Sequence, residues 1–480
     1  MKKYLDEALY EYSKSNCYPF HMPGHKRNDC PKALYNPYQI DITEIDGFDN
    51  LHHAEGILKE AQKRAAALYG AEESFYLVNG STAGLLSAVS ACTSRNGTLL
   101  MARNCHKAVY HAAYLRGLQV HYLVPPCEKQ TGLNGGIDPW QVREMLEQYP
   151  ETEAVLITSP SYDGVVSDIE EIVRITHGHG IPLIVDEAHG AHLCFSDYFP
   201  DSALKYGADL VIQSLHKTLP SMTQTALLHV QGSLVSRTCL RRFLGIYQSS
   251  SPSYVFMSSM ESCIRLLEQE GRERFASYTK RLEVCRERLK SMQCLQLIDF
   301  CQVTGKGNIY DMDRSKLIIS TAGTSINGEI LHLELLHNYR IQIEMTAPSY
   351  ILALSSVMDT EEGFSRLEQA LLEIDRKLCK DKGYRENMNF VQETYPHKQI
   401  QNVKIADAIE SPWEEVQLEE SQGEISVEFV YLYPPGIPCL VPGERITGEL
   451  LEKIRVWKKQ GLDIQGPADY TLEKIRIQKR

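Results

Sequence analysis

Short apolar runs, each followed by a loop and a longer amphipathic segment, recur between residues 51 and 290. The runs that predict strands are residues 74–78, 98–102, 120–124, 154–158, 182–185, 209–213 and 225–230. The amphipathic segments between them, such as residues 83–92 and 169–177, predict helices. Strands that alternate with helices predict an α/β fold with a mostly parallel sheet.

The pattern changes on both sides of this region. Residues 258–292 predict one long helix, broken near Gly271, that leads out of the large domain. After it, the predicted elements are strands at 317–320, 341–345, 351–354 and 424–431, a helix at 362–379 and a charged linker at 380–393. Before it, the irregular arm around residues 20–26 contains a Pro-Gly pair beside two histidines and a lysine, and is either a surface turn or a functional loop.

These patterns divide the chain into four predicted units. The units are an N-terminal helix and arm (1–50), a large domain (51–290), a small α/β domain (291–379) and a C-terminal α+β domain (380–480). The length of 480 residues agrees with a division into several domains, because a single core rarely grows to that size.

Composition narrows the class of protein. The formal net charge of −12 disfavours a nucleic-acid binder, which needs a basic face. The first twelve residues have no apolar run, and no stretch is long enough to span a bilayer, so we expect neither a signal peptide nor a membrane partner. The 13 cysteines, scattered from Cys17 to Cys439 without a C-x-x-C pair, argue against a disulfide framework or a zinc ribbon and predict reduced thiols in the cytoplasm.

Parallel sheets bind ligands beyond the carboxyl ends of their strands, so the loops there are the candidate site. The loop after the first strand holds Gly80, Ser81 and Thr82 at the start of a helix. Backbone N–H groups and hydroxyls in that position suit a phosphate, although an ordinary helix cap explains the same residues. His106 follows the next strand, and it either lies flat against a heteroaromatic ligand or is an ordinary surface or core histidine.

Asp186 stands at the end of the strand at 182–185. A carboxylate buried there is costly unless it meets a cation, and a protonated pyridine nitrogen is such a cation. This pairing would make the pyridine ring an electron sink. His189 and His192 on the same loop could bind a metal, but no third ligand suggests itself, and we expect no metal.

Lys217 lies just beyond the strand at 209–213, next to Ser214 and His216, which could hold a phosphate. Alone it could be a surface lysine, whereas in an apolar setting its pKa falls and the amine becomes nucleophilic. Phosphate donors, a flat ring partner, a pyridinium partner and an imine-forming lysine on one sheet are what pyridoxal 5′-phosphate (PLP) requires. The combination predicts a PLP-dependent enzyme.

A series of motifs carries a family resemblance over nearly the whole chain. In chain order they are His-Met-Pro-Gly-His-Lys (21–26), Asp46-Gly47 with Asp49-Asn50-Leu51, Asn79-Gly80-Ser81-Thr82, Asn104-Cys105-His106-Lys107, Asp186-Glu187-Ala188-His189-Gly190, Ser214-Leu215-His216-Lys217, and Tyr-Pro-Pro-Gly-Ile-Pro (433–438) with Pro442-Gly443-Glu444. With these motifs the chain resembles the Orn/Lys/Arg decarboxylases, fold type I PLP enzymes of the aspartate aminotransferase-like superfamily.

The resemblance implies a role for each candidate residue. Lys217 would form the Schiff base with PLP, Asp186 would pair with the pyridinium nitrogen, and His106 would stack on the ring. His189 would lie near the ring face or its hydroxyl. The residues that would surround the phosphate are Gly80, Ser81, Thr82, Ser214 and His216.

The implied activity is decarboxylation of arginine, lysine or ornithine to the corresponding amine and CO2. Because the arm begins within the first 30 residues, the N-terminal wing domain of the large inducible members is expected to be absent. The chain therefore resembles the short, biosynthetic members, whose amines serve polyamine biosynthesis, and a homodimer with active sites at the subunit interface is the family expectation.

Two rival interpretations and one open question remain. Another reaction on the same fold, such as transamination, would use an arginine to hold the α-carboxylate, and Arg340 and Arg366 are available. A catalytically silent regulatory homologue is the second alternative. A basic substrate side chain requires an acidic partner, for which Glu344 and Glu444 are the candidates, and either could instead be structural.

Overall fold

The computed structural model describes residues 4–28, 36–380, 402–432, 437–459 and 463–479. The elements of the N-terminal segment are α1 (Leu5–Lys14), β1 (Tyr18–Phe20) and α2 (Pro37–Ile40). The segment reaches across to the second half of the chain, where β1 pairs in parallel with Ile341–Ile343. The arm strand β1 is therefore hydrogen-bonded to a strand of the small domain.

The large domain is built on a seven-stranded sheet. Its elements are α3 (Ile57–Tyr69), β2 (Glu73–Leu77), α4 (Gly80–Cys92), β3 (Thr98–Ala102), α5 (Lys107–Arg116), β4 (Gln119–Leu123), α6 (Pro139–Gln148), β5 (Thr152–Thr158), β6 (Val165–Val166), α7 (Ile169–Gly178), β7 (Leu183–Asp186), β8 (Leu210–Gln213), α8 (Leu215–Thr218), β9 (Ala226–Val230), α9 (Arg237–Tyr247) and α10 (Tyr254–Leu289). The strand order is β2-β9-β8-β7-β5-β3-β4, and only β9 runs in the direction opposite to the other strands of the sheet.

This sheet confirms the predicted α/β fold with a mostly parallel sheet. Every residue of β3, β7, β8 and β9 is buried, because helices cover both faces of the sheet. Strands buried on both sides carry continuous apolar runs, and this is why each predicted strand begins and ends within two residues of the observed one.

The helix α10 continues through Gly271, so the predicted break there is wrong. Gly271 is buried within this 36-residue helix, which packs against α3 and the helix Glu361–Lys380. A glycine costs a helix only about 1 kcal/mol relative to alanine, and packing on both sides outweighs that preference.

The small domain holds a four-stranded antiparallel sheet in the order β10-β12-β15-β14. Its elements are β10 (Gln296–Leu297), α11 (Phe300–Val303), β11 (Asp311–Met312), β12 (Lys316–Ser320), α12 (Gly328–Tyr339), β13 (Ile341–Ile343), β14 (Met345–Ala347), β15 (Tyr350–Leu354) and α13 (Glu361–Lys380). The single strand predicted at 341–345 is two strands, because β13 pairs with the arm and β14 with β15. Glu344 lies between β13 and β14.

A disulfide joins Cys294, just before β10, to Cys379 in the last turn of α13. The expectation of reduced thiols is wrong for this pair. The two residues are 85 positions apart, and only the packing of the small domain brings them together.

The C-terminal domain has a small hydrophobic core of its own, around Leu440, Ile454 and Trp457. Its elements are α14 (Ile405–Ile409), β16 (Trp413–Gln417), β17 (Val430–Leu432), β18 (Ile437–Leu440), α15 (Gly448–Lys459), β19 (Ile464–Gln465) and β20 (Lys474–Gln478). Of the strand predicted at 424–431, only its end is regular, as β17. The predicted linker at 380–393 lies, beyond Lys380, outside the described residues, as do residues 433–436 of the Pro-rich motif.

None of the helices in the described ranges combines the length and the apolar composition needed to cross a bilayer.

Candidate active site

A cavity of about 920 Å³ opens between the large domain, the arm and the small domain. The sequence-predicted residues that line it are Gly80, Ser81, Thr82, His106, Asp186, His189, Ser214, His216, Lys217 and Glu344. Met22 of the arm and Tyr162, Asp163 and Tyr350 also face it. This volume is in the upper part of the range for cofactor and ligand sites.

One end of the cavity is built around the start of α4. Gly80, the first residue of the helix, has a φ of +70°, a conformation that favours glycine. The side chain of Asn79, the residue before the helix, does not cap it and instead accepts a hydrogen bond from the Ser249 N–H at 2.9 Å. The Oγ atoms of Ser81 and Ser214 lie 2.6 Å apart. An uncapped helix start beside two hydroxyls suits a phosphate group, and the capping alternative is not what this loop does.

His216 completes this end of the cavity. Its Nδ1 lies 2.9 Å from the carbonyl oxygen of Thr225, which can only accept, so Nδ1 carries the ring proton. Burial lowers the pKa of His216 to about 4, which keeps the isolated ring neutral. A phosphate dianion nearby would favour a second proton, on Nε2.

His106 and Asp186 also line the cavity. The Nδ1 atom of His106 accepts the backbone N–H of Ala108 at 3.2 Å, and burial together with the charges of Lys217 and Lys107 lowers the pKa of His106 to about 3. Asp186 ends β7 and is 3% exposed. Burial raises the pKa of Asp186, and within the described ranges its carboxylate has no ion pair. A neutral fixed ring and a buried carboxylate suit a cationic heteroaromatic ligand.

Lys217 follows β8, the strand next to β7. Its Nζ lies 3.1 Å from Nε2 of His189, and burial lowers the pKa of Lys217. The other ring nitrogen of His189, Nδ1, lies 3.0 Å from Nζ of Lys316, at the start of β12. Sequence reasoning missed Lys316, because a lysine at the start of an apolar strand carries no signal that separates it from a surface lysine.

The arm forms the opposite wall. The Met22 N–H donates to Oε2 of Glu344 at 2.7 Å, and the Tyr162 hydroxyl donates to Oε1. The Gly24 N–H donates to the carbonyl of His216 at 2.7 Å, and a Cβ at Gly24 would lie 2.6 Å from the backbone nitrogen of Leu219. The arm is therefore packed directly on α8, which carries Lys217, and is not a surface turn. The functional-loop interpretation stays a prediction.

Glu444 lies elsewhere. Its side chain is fully buried, 3.2 Å from Nη2 of Arg103, and it also accepts the Val441 N–H at 2.8 Å. It does not line the cavity. The structure thus brings Glu344 to the site and leaves Glu444 in an internal ion pair, so Glu444 is not part of the proposed substrate site.

Asp163 is a further carboxylate on the cavity wall, 6% exposed, which accepts the Tyr350 hydroxyl at 3.0 Å. Sequence reasoning missed it, although it follows β5 and the strand-end rule would have found it. The two arginines considered for an α-carboxylate clamp do not line the cavity. Arg366 donates to Asn16, and Arg340 ends α12.

Comparison with known proteins gives consistent results. Residues 4–333 match the Orn/Lys/Arg decarboxylase major domain, and residues 386–461 match the C-terminal domain of the same family. The chain is 32% identical to an arginine decarboxylase of Bacillus anthracis, over 98% of this chain and 96% of the relative. It is 31% identical to an arginine decarboxylase of Bacillus subtilis, over 98% and 97% of the two chains. The solved lysine decarboxylase of Francisella novicida superposes with a TM-score of 0.80 at 20% identity, over 98% of this chain and 80% of that one.

Proposed function

Because this chain belongs to the Orn/Lys/Arg decarboxylase family, we propose that it decarboxylates a basic amino acid and that Lys217 holds PLP. Arginine is the first candidate substrate. That the chain is an amino-acid decarboxylase follows from the family and from its relatives. The observation that carries the cofactor proposal is the presence of Lys217 and Asp186 on one cavity, at the ends of neighbouring strands.

The cavity residues fit PLP. The start of α4 with Ser81, Thr82, Ser214 and His216 would hold the phosphate. Asp186 would hold the pyridine nitrogen, His106 would lie on the ring, and Lys217 would bind the aldehyde carbon. When bound, PLP supplies an electron sink for the electrons of the broken Cα–carboxylate bond.

The side chains of this protein would then control charge and protons. The Asp186 carboxylate would keep the pyridine nitrogen protonated. The substrate carbon would take up a proton when CO2 leaves, and the pair formed by Lys217 and His189, 3.1 Å apart, would supply it. The Glu344 carboxylate faces the distal cation of the substrate, where a guanidinium takes a two-point contact and an ammonium a point contact.

Arginine is the first candidate because relatives that are 30–32% identical over nearly the whole chain are named arginine decarboxylases. Relatives named lysine decarboxylases are 23% identical. The test is a panel of arginine, lysine, ornithine and uncharged norleucine, in which CO2, amine and keto acid are all measured. We expect CO2 and the amine in equal amounts from arginine. A keto acid as the main product would show transamination, and no turnover of any basic amino acid by PLP-loaded protein would favour the silent homologue.

A further inference from the structure

Two lysines, Lys316 buried and Lys217 partly buried, contact the same histidine. His189 is 5% exposed, and its Nε2 lies 3.1 Å from Nζ of Lys217 while its Nδ1 lies 3.0 Å from Nζ of Lys316. Lys316 is 1% exposed and belongs to the small domain, whereas Lys217 and His189 belong to the large domain. The ring thus connects the candidate cofactor lysine to a second lysine across the domain boundary.

Hydrogen-bond chemistry restricts what these three groups can be. A neutral imidazole has one N–H donor and one lone pair, and an ammonium group can only donate. Burial lowers the pKa of His189 well below its usual value, so the ring is neutral. If both contacts are hydrogen bonds, one lysine donates to the ring and the other accepts from it, and the accepting lysine must be a neutral amine.

The surroundings indicate which lysine keeps its charge. Three carboxylates stabilise the Lys316 ammonium, those of Asp313, Glu344 and Asp163, and the Tyr162 ring centroid lies 5.7 Å from its Nζ. Asp313 is itself held as a carboxylate by the Ser315 N–H at 3.0 Å and by His192, whose Nε2 lies 3.1 Å away.

Fewer charges surround Lys217. The carboxylates of Asp186 and Glu344 favour its ammonium form, whereas burial disfavours that form. Burial lowers the pKa of Lys316 to about 8, and the three carboxylates around it oppose this shift and favour its ammonium form. Lys316 is therefore the donor, to Nδ1, and the ring proton of His189 is on Nε2, facing Lys217.

We propose that Lys316 is a positioning residue that fixes the tautomer of His189, so that the ring N–H holds the Lys217 side chain as a neutral, nucleophilic amine. This inference rests on the proposed role of Lys217 as the cofactor lysine. It adds a residue that acts on the amine from the small domain and that does not itself line the cavity.

The test measures the protonation of Lys217 directly. The full-length protein is freed of PLP by dialysis against an aminooxy reagent and is shown to rebind PLP. It is then labelled with trace acetic anhydride between pH 5 and 10.5, a range that spans the titration of histidine and lysine side chains. Mass spectrometry then reads acetylation of the Lys217 peptide relative to exposed Lys59. Only the neutral amine reacts, so the pH profile gives the apparent pKa of Lys217.

We expect Lys316→Met to raise the apparent pKa of Lys217 by about one unit or more, since the amine can then stay protonated and donate to His189. Lys316→Arg, which keeps a charged donor, should return the profile toward that of the unsubstituted protein. Loss of a nearby positive charge would also raise the pKa of Lys217 through space. The acetylation profiles of Lys316→Met and Lys316→Arg are therefore also measured in protein that carries His189→Gln. The proposal is overturned if Lys316→Met shifts the profile equally with and without His189.

A second measurement needs no substitution at Lys316. In protein labelled with 15N-histidine, the His189 resonances, assigned by their loss in His189→Gln, show which nitrogen carries the proton. A proton on Nε2 supports the inference, and a proton on Nδ1 overturns it, even if Lys316→Met fails to fold. Neither readout involves turnover, whereas the substrate panel does, so failure of this inference and failure of the proposed function are separable.

Discussion

The two walls of the cavity differ in how the chain assembles them. The large-domain wall, with Ser81, His106, Asp186 and Lys217, comes from loops that each directly follow a strand of one sheet. The opposite wall joins Met22 to Glu344, which are 322 residues apart. The first wall follows from local patterns and the geometry of a parallel sheet, and the second from tertiary contacts alone. We propose that the first wall carries the chemistry common to PLP enzymes and that the second determines the choice of substrate.

The two glutamates show the same difference in a single residue type. Glu344 lies where the arm strand β1 stops pairing with β13, and it faces the cavity. Glu444 lies in a fully buried ion pair with Arg103. From the sequence they are equivalent candidates. If the comparison of the two walls is correct, substitutions on the large-domain wall abolish chemistry, and substitutions on the opposite wall change which substrate is used.

The largest effect is expected for Lys217→Ala. Without the amine, both the covalent attachment of PLP and its release to substrate are lost, and turnover should fall by at least about a thousandfold. Reduction with borohydride followed by peptide mapping reads the attachment directly. A reducible PLP adduct that persists in this variant, purified without added amines, would mean that another lysine holds the cofactor.

Asp186→Asn should retain PLP but lose about a hundredfold in kcat, because a neutral amide cannot keep the pyridine nitrogen protonated, and an ionic contact of roughly 3 kcal/mol is lost in the transition state. Steady-state kinetics at saturating PLP, with absorbance to verify loading, measure the effect. Unchanged kcat in the loaded variant would exclude the pyridine-partner role.

On the opposite wall, Glu344→Gln should raise KM for arginine about tenfold and narrow the preference for arginine over norleucine by a similar factor, with PLP affinity unchanged. The physical reason is the loss of the carboxylate that faces the distal cation. Kinetics with both substrates give the ratio.

Glu444→Gln is the matched control for that experiment. It leaves Arg103 buried without a carboxylate and should lower the free energy of unfolding by about 3 kcal/mol while the substrate preference stays unchanged. Chemical denaturation measures this loss. If Glu344→Gln keeps the normal preference and Glu444→Gln alters it, the assignment of the two glutamates is reversed.

The smallest effect is expected for Tyr162→Phe, which removes the hydroxyl that donates to Glu344 and keeps the ring. The carboxylate would be oriented less firmly, at a cost of about 1 kcal/mol in substrate binding, or a fewfold in KM. The same assay on arginine and norleucine measures it. A large fall in kcat with unchanged KM would place Tyr162 in the chemistry of the first wall.

The sequence predicts the large-domain sheet well, since strands covered on both faces carry continuous apolar runs that need no knowledge of their partners. The sequence predicts less well those elements whose structure depends on contacts with distant parts of the chain. The apolar run at 341–345 is divided because its first half pairs with β1 of the arm, and the disulfide between Cys294 and Cys379 depends on how α13 packs. Lys316 was missed for the same reason, because its importance comes from the position of His189 in another domain.

The ion pair between Arg103 and Glu444 has a consequence for how this protein was inherited. Arg103 belongs to the large domain and Glu444 to the C-terminal domain, and the guanidinium also donates to the Pro438 carbonyl at 2.6 Å. A C-terminal segment from a relative that covered Arg103 without supplying a carboxylate would leave this cation buried and unpaired, at a cost of about 3–5 kcal/mol. That is a large part of the total stability of a typical domain, about 5–15 kcal/mol. Exchange of this segment between relatives would therefore be tolerated only if Arg103 and Glu444 changed together.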